Sequence, residues 1–217
     1  MIGPGHAIDG SPNQDSLLFR RFNGCFLTVV CDGMGSKSHS HIGSNLACRA
    51  VYEIISTSDF DVDGKVLIES IYRRWLFLLD GVNRKDAVTT CLICWGNSTG
   101  VVRYFQLGDG RIIAPDIQVK DDGTNFGNET TGLGVSEKYS DWFVGELKLE
   151  KGRGLAIMTD GISEDLEEGC ENQLLASLIG SMKGISSRRA KKTLVQELND
   201  WPTPNHLDDK TIAVVIR

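Results

Sequence analysis

The chain has 217 residues and a net charge of −6, long enough to bury a full core and too acidic for a general nucleic-acid or anionic-membrane binder, whose surfaces demand clustered Lys and Arg. No apolar run approaches the ~20 residues that cross a bilayer, and the N-terminus Met1-Ile-Gly-Pro-Gly-His has no charged segment leading into an apolar one. With no low-complexity stretch, repeat or long linker, the expectation is one domain over residues 1–217, soluble, cytoplasmic and monomeric.

In chain order, Asp15 to Phe22, Asn23-Gly24 and Cys25 to Cys31 read as a β-hairpin, because Asn-Gly between apolar segments is a strong short turn signal. From His41 to Ile55 the residues Ile42, Leu46, Ala47, Ala50, Val51, Ile54 and Ile55 recur at helical spacing. A second helix is predicted from Gly64 to Leu79. Strands are predicted at Ala87 to Trp95, Gly100 to Leu107, Arg111 to Ala114, Trp142 to Leu149 and Leu155 to Thr159. Two helices follow, Asn172 to Met182 and Ser187 to Leu198, the second with Ser186 or Ser187 as its N-cap and with its basic cluster, Arg188 to Lys192, as a solvated face. Thr211 to Ile216 is the last strand. Runs of strands separated by paired helices imply an α+β layered fold, with a mainly antiparallel sheet or sandwich covered by helices.

The six cysteines mostly lie inside apolar runs, where a reduced thiol is a small hydrophobe. Cys91 and Cys94 have C-x-x-C spacing, but three residues apart on a strand they face opposite sides, which argues against a zinc or redox pair.

Three apolar runs stop at Asp-Gly: Phe26 to Asp32-Gly33, Tyr104 to Asp109-Gly110 and Leu155 to Asp160-Gly161. A fourth acidic pair, Asp208-Asp209, opens the last strand. Any one Asp-Gly is ordinarily a turn. If these strand ends share one edge of the core, the acids crowd together, and two unit charges ~4 Å apart at an effective dielectric of ~20 repel by ~4 kcal/mol. Protons or a cation must offset that, and oxygen donors without nearby His or Cys suit magnesium, manganese or calcium.

The ordered segments Pro12-Asn-Gln-Asp15-Ser16, Val30-Cys-Asp32-Gly33-Met34-Gly35, Leu107-Gly-Asp109-Gly110-Arg111, Thr131-Gly-Leu-Gly134, Met158-Thr-Asp160-Gly161-Ile162 and Asp208-Asp209-Lys210-Thr211 together resemble the metal-dependent protein serine/threonine phosphatases of type 2C, in their compact bacterial form. The resemblance runs from about Asn13 to the C-terminus. It implies a β-sandwich of two antiparallel sheets flanked by helices, in α-β-β-α layers, and hydrolysis of phosphoserine or phosphothreonine by a water bridging two divalent metals, manganese or magnesium. Carried over by position, Asp32 looks like the bridging carboxylate and the Gly33 carbonyl like a ligand of one ion. Asp160 and Asp208 would hold the other, Asp109 would reach a third with Asp160, and Asp15 would orient bound waters. The implied partner is a phosphorylated protein, with a cognate Ser/Thr kinase opposing the enzyme. No G-x-S-x-G elbow, C-x5-R signature or H-E-x-x-H is present, consistent with a metal-activated water as nucleophile.

Several positions depart from the family pattern. Gly10 stands where many members carry an arginine that grips phosphate, leaving His6, Arg20, Arg21 and Arg111 as candidates for the grip, with Arg111 equally suited to support a turn. His6 either donates to phosphate, or passes a proton to the leaving alkoxide, or only orders the N-terminal segment. Met34 replaces the histidine common in eukaryotic members, His39 and His41 are expected to cap a helix or face solvent, and His206 is placed to support Asp208. Val135 to Asp141 is short for a substrate-selecting flap. The missing arginine keeps open a catalytically weak module that binds a phosphorylated partner or kinase through the same cleft, and nothing in the residues excludes a small phosphorylated metabolite as substrate.

Overall fold

The computed structural model describes residues 1–115, 117–120 and 131–203 together with 207–217, the stretch 117–120 by its backbone alone. It opens with a short helix α1 (Pro4–Asp9), then β1 (Ser16–Phe22) and β2 (Cys25–Cys31). These strands pair in unbroken antiparallel register from Ser16 opposite Cys31 to Phe22 opposite Cys25. The turn between them needs two successive left-handed residues, and Asn23 (φ 48°) with Gly24 (φ 74°) meets that need.

Helices α2 (Ser40–Ile55) and α3 (Gly64–Leu78) follow, then strands β3 (Cys91–Gly96), β4 (Val101–Leu107), β5 (Arg111–Ala114), β6 (Ile117–Lys120), β7 (Phe143–Lys148) and β8 (Gly154–Met158). The chain closes with a single helical turn α4 (Asp160–Ser163), helices α5 (Glu171–Met182) and α6 (Ser187–Asn199), and β9 (Ile212–Ile216). The strands form two wholly antiparallel sheets, in the order β1-β2-β3-β4-β7 and β6-β5-β8-β9.

Side-chain alternation sorts each strand between two cores. Along β3, Cys91, Ile93 and Trp95 pack with α2 and α3, whereas Leu92 and Cys94 enter the layer between the sheets. The two C-x-x-C thiols therefore belong to different cores, and all six cysteines are free. Along β8, Leu155 and Ile157 join the inter-sheet layer while Ala156 and Met158 pack against α5. Each fully enclosed Leu or Ile contributes about 1.5–3 kcal/mol. The result is helices, sheet, sheet, helices, the α+β sandwich the sequence implies.

Local signals fix the helix ends. Asp63 accepts from the Lys65 and Val66 amides at the start of α3, and Ser186 accepts from the Arg189 amide at the start of α6. The basic side chains of α6 face solvent, as expected of a helix with no fully buried residue. Trp75 on α3 donates its indole N–H to the Gly43 carbonyl of α2 at 3.0 Å, locking that layer together. No described helix is long and apolar enough to cross a membrane.

Candidate functional site

Antiparallel pairing brings the start of β1, the end of β2, the end of β8 and the start of β9 to one end of the sandwich. Asp32 ends β2, and its backbone is clamped by the segment entering β3. Its amide donates to the Thr90 hydroxyl at 2.9 Å, and its carbonyl accepts from the Thr89 hydroxyl and the Thr90 amide, each at 2.8 Å. Gly33 donates to the Gln14 carbonyl at 3.1 Å and lies so close to Ser40 at the start of α2 that a Cβ would overlap it. Only glycine fits there.

Asp160 opens the α4 turn, and its Oδ1 accepts from the Gly161 amide at 2.6 Å. A Cβ on Gly161 would overlap the Asp209 carbonyl oxygen, so the Asp-Gly after β8 is a close backbone approach to the acidic pair before β9. The Thr159 hydroxyl accepts from the Thr211 amide at 3.1 Å, which leaves its proton for Asp15 Oδ2 at 3.0 Å. Thr159 thus ties β8 to β9 and orients Asp15. Among the described residues, the buried second oxygen of Asp15 has no hydrogen-bond partner.

Four carboxylates distant in sequence act on one another here. Burial pushes the Asp32 carboxyl well above its ordinary range, aided by the charges of Asp15, Asp160 and Asp208 and by a hydrogen bond shared with Asp160. Burial also pushes Asp15 up to about 7, helped by the charge of Asp209 and opposed by the hydroxyls of Thr211 and Thr159. Both shifts favour the protonated forms of Asp15 and Asp32.

Asp208 and Asp209 divide two tasks between them. Asp208 is half-buried, its Oδ1 accepting from the Asp209 amide at 2.7 Å. Asp209, 1 % exposed, turns inward and accepts from the Gly3 amide at 2.7 Å and the Gln14 amide at 2.6 Å, with the His6 imidazole Nδ1 at 2.9 Å. Beneath them the buried Lys210 ammonium reaches the Asp208 carbonyl at 3.4 Å and the buried Asp165 carboxylate at 3.8 Å, and Asp165 also accepts from the Trp201 indole at 3.2 Å. The loop is held from both sides.

His6 also lies 3.8 Å from Asp208 Oδ1, and His6, Asp208 and Asp209 each offer a ligand atom within 4.8 Å of the others. Asp109 sits half-buried on the β4–β5 turn, whose Gly110 would bring a Cβ to 2.7 Å from the Met158 carbonyl oxygen, directly before Thr159 and Asp160. His39 is exposed, with Nδ1 2.9 Å from the Ser38 hydroxyl, and Ile42 and Gly43 donate to its carbonyl at the start of α2. His206 lies outside the described residues.

Arg111, a candidate phosphate grip by sequence, is engaged elsewhere in the fold. Its guanidinium donates to Glu171 Oε1 at 2.6 Å at the start of α5, both side chains are largely enclosed, and its Nε is buried without a partner among the described residues. Swinging it towards a phosphate would strand the Glu171 carboxylate. Sequence reasoning gave no separate role to Asp209, Thr159 and Gln14, although all three lie within the quoted segments. The adjacent acids of Asp208-Asp209 were visible, but which of them turns inward is decided by the N-terminal segment that meets it.

The donor set fits a hard divalent cation: carboxylates gathered at strand ends, one buried oxygen unsatisfied, and pKa values raised first by burial and then by neighbouring acids. An ion there would replace the protons the cluster otherwise holds.

No curated protein sequence matches the chain. Among solved structures, it resembles the S. agalactiae serine/threonine phosphatase with 18 % identity and a TM-score of 0.70, over 100 % of this chain and 97 % of that one. It resembles RsbX, solved in complex with magnesium, with 18 % identity and a TM-score of 0.61, over 99 % and 89 %. The PP2C domain of SpoIIE from Bacillus subtilis with a fragment of its regulatory domain matches with 18 % identity and a TM-score of 0.61, over 98 % of this chain, which spans 60 % of that longer one. Identities this low speak for the fold alone, but the sequence pattern of the protein phosphatase 2C family matches residues 2–201, and the chain belongs to that family.

Proposed function

We propose that this chain is a manganese- or magnesium-dependent protein phosphatase acting on phosphoserine and phosphothreonine. One observation carries the reading: Asp15, Asp160 and Asp208, far apart in sequence, all lie near enough to act on the half-buried carboxyl of Asp32. Asp32, the Gly33 carbonyl, Asp160 and Asp208 would hold two ions, and Asp109 a third with Asp160. When bound, such ions act as Lewis acids on phosphate oxygens and make water a nucleophile near neutral pH.

The chain's own side chains do the rest. Asp15, fixed by the Thr159 hydroxyl, orients the attacking water from behind the acids. His6, held by Asp209, stands at the edge of the cluster, where it donates to the substrate phosphate or to the departing alkoxide oxygen. Arg111 serves the scaffold, joining β5 to α5.

The test is turnover of a phosphothreonine peptide and p-nitrophenyl phosphate with excess manganese. Activity lost in Asp32→Ala and Asp160→Asn supports the reading. A wild-type protein that binds manganese yet leaves both esters intact sinks it. Gly10 and the engaged Arg111 favour a second reading, a weakly catalytic module that binds a phosphorylated partner, and turnover abolished by Asp160→Asn would eliminate that one.

A further inference from the structure

A groove of about 520 Å³ leaves the site at Asp15 and runs between the edge of β1 and the face of α2. Leu18 and Arg20 line it on the strand side, and Asn45, Arg49 and Tyr52 on the helix side. These three helix residues follow the i, i+4, i+7 spacing of one helical face.

Two properties of the groove select its occupant. First, among the described residues β1 is the last strand of its sheet and pairs with β2 alone, so its outer edge carries main-chain N–H and C=O groups with no strand beside them. Second, in a chain of net charge −6 this groove is lined by two arginines, Arg20 and Arg49, against one acid, Asp15, at its inner end. The Arg20 guanidinium donates to the Phe19 carbonyl at 2.9 Å and lies 5.8 Å from the centre of the Tyr52 ring, staying at the exposed rim. Arg49, 58 % exposed, pairs with Glu53 at 2.8 Å, but Glu53 is shared with Arg74, so the wall keeps an excess of positive charge.

We infer that this groove receives an extended, acidic segment of the phosphoprotein substrate, added to the free edge of β1 while the phosphorylated residue reaches the acids beyond Asp15. The inference rests on the phosphatase reading above and specifies its substrate. Strand addition supplies main-chain hydrogen bonds and leaves selectivity to the side chains along the groove. An antiparallel partner, the commoner pairing, runs towards the site because β1 runs away from it. The acidic residues then lie on the N-terminal side of the phosphorylated residue. Arg20 lies five positions after Asp15, and at ~3.4 Å per residue the acids belong about four to six positions upstream.

Three phosphothreonine peptides test this: one with two glutamates at those upstream positions, one with glutamines there, and one with the glutamates placed symmetrically downstream. The upstream-glutamate peptide should have a kcat/KM about fivefold above the others, as expected of exposed charge pairs, and the preference should fade at about 1 M salt. Arg20→Gln with Arg49→Gln should remove the preference, and Arg20→Glu with Arg49→Glu should invert it. Each is read as a ratio between peptides on one preparation, so partial loss of folded protein cancels. Equal turnover of all three peptides by the wild type, or a preference for downstream glutamates, overturns the inference and leaves the phosphatase reading standing. Hydrolysis of none of them, nor of p-nitrophenyl phosphate, by manganese-loaded protein overturns that reading and the inference with it.

Discussion

The imidazole of His6 and the carboxylate of Asp209 meet at 2.9 Å, though 203 residues separate them, and this contact pins the first helix to the loop that carries Asp208. Asp209 also satisfies two backbone amides, so it is the larger structural element of the pair. Asp209→Ala would leave the Gly3 and Gln14 amides without an acceptor in a buried place, at a cost of about 3 kcal/mol. Urea denaturation of the metal-free variant should show that loss, and His6→Ala should cost markedly less. Equal losses would mean that the imidazole, not the carboxylate, secures the N-terminus.

His6 should also separate substrates by leaving group. An alkoxide leaving from a phosphothreonine peptide needs a proton in the transition state, whereas p-nitrophenolate leaves without one. His6→Ala should therefore lower kcat on the peptide by roughly 100-fold and on p-nitrophenyl phosphate far less. A uniform drop on both esters would point to loss of phosphate binding or of local order instead.

The proposed metal site predicts a coupling between ion and stability. Manganese should raise the melting temperature, because a ligand at a hundred times its Kd stabilises the folded state by about 2.7 kcal/mol. Asp32→Ala and Asp160→Ala should abolish that rise. Metal-free, both variants should melt no lower than the wild type, since each removes one carboxylate from a repelling cluster. A wild-type melting temperature indifferent to manganese over a wide concentration range would contradict the site.

Protons provide an independent check in the absence of metal. Asp15 and Asp32 are raised above their unfolded values, Asp15 to about 7, so the folded state holds protons that the unfolded chain has released. Stability should then be greatest near pH 4 to 5 and fall as the pH rises towards 7, by roughly 2–4 kcal/mol. Saturating manganese should flatten or reverse that slope, because the ions occupy the sites of the lost protons. A metal-free protein more stable at pH 8 than at pH 5 would show that these carboxylates do not interact as the geometry requires.

The layers were legible in the sequence because alternation is strict where a strand faces two cores. Cys91 and Ile93 face one core and Leu92 and Cys94 the other, and the hairpin turn announces itself in Asn23-Gly24. Strand starts were less legible: Ala87 to Thr90 reads as β3 by composition, but those residues are drawn off to hold Asp32, Gly33's neighbour Met34 and Leu133. Helix α1 was missed because it buries no side chain and is fixed largely from outside, by the Gly5 amide on the Leu207 carbonyl. At the site, the order of the acids was visible, but the division of labour within Asp208-Asp209 and the capture of Arg111 by Glu171 depend on partners 60 or more residues away.

That capture yields the last prediction. The Arg111–Glu171 pair lies between β5 and the first turn of α5, with both side chains largely enclosed and with Arg111 Nε and Glu171 Oε2 buried without partners among the described residues. Removing one member leaves the other charge buried alone, so Arg111→Met or Glu171→Leu should each cost about 3–5 kcal/mol. Replacing both at once removes the stranded charge, and the Arg111→Met/Glu171→Leu protein should recover most of the loss, giving a large coupling in a double-mutant cycle. If Arg111 serves only the scaffold, the double variant should keep KM for a phosphothreonine peptide near the wild-type value. A raised KM in a fully folded double variant would instead return Arg111 to the substrate phosphate.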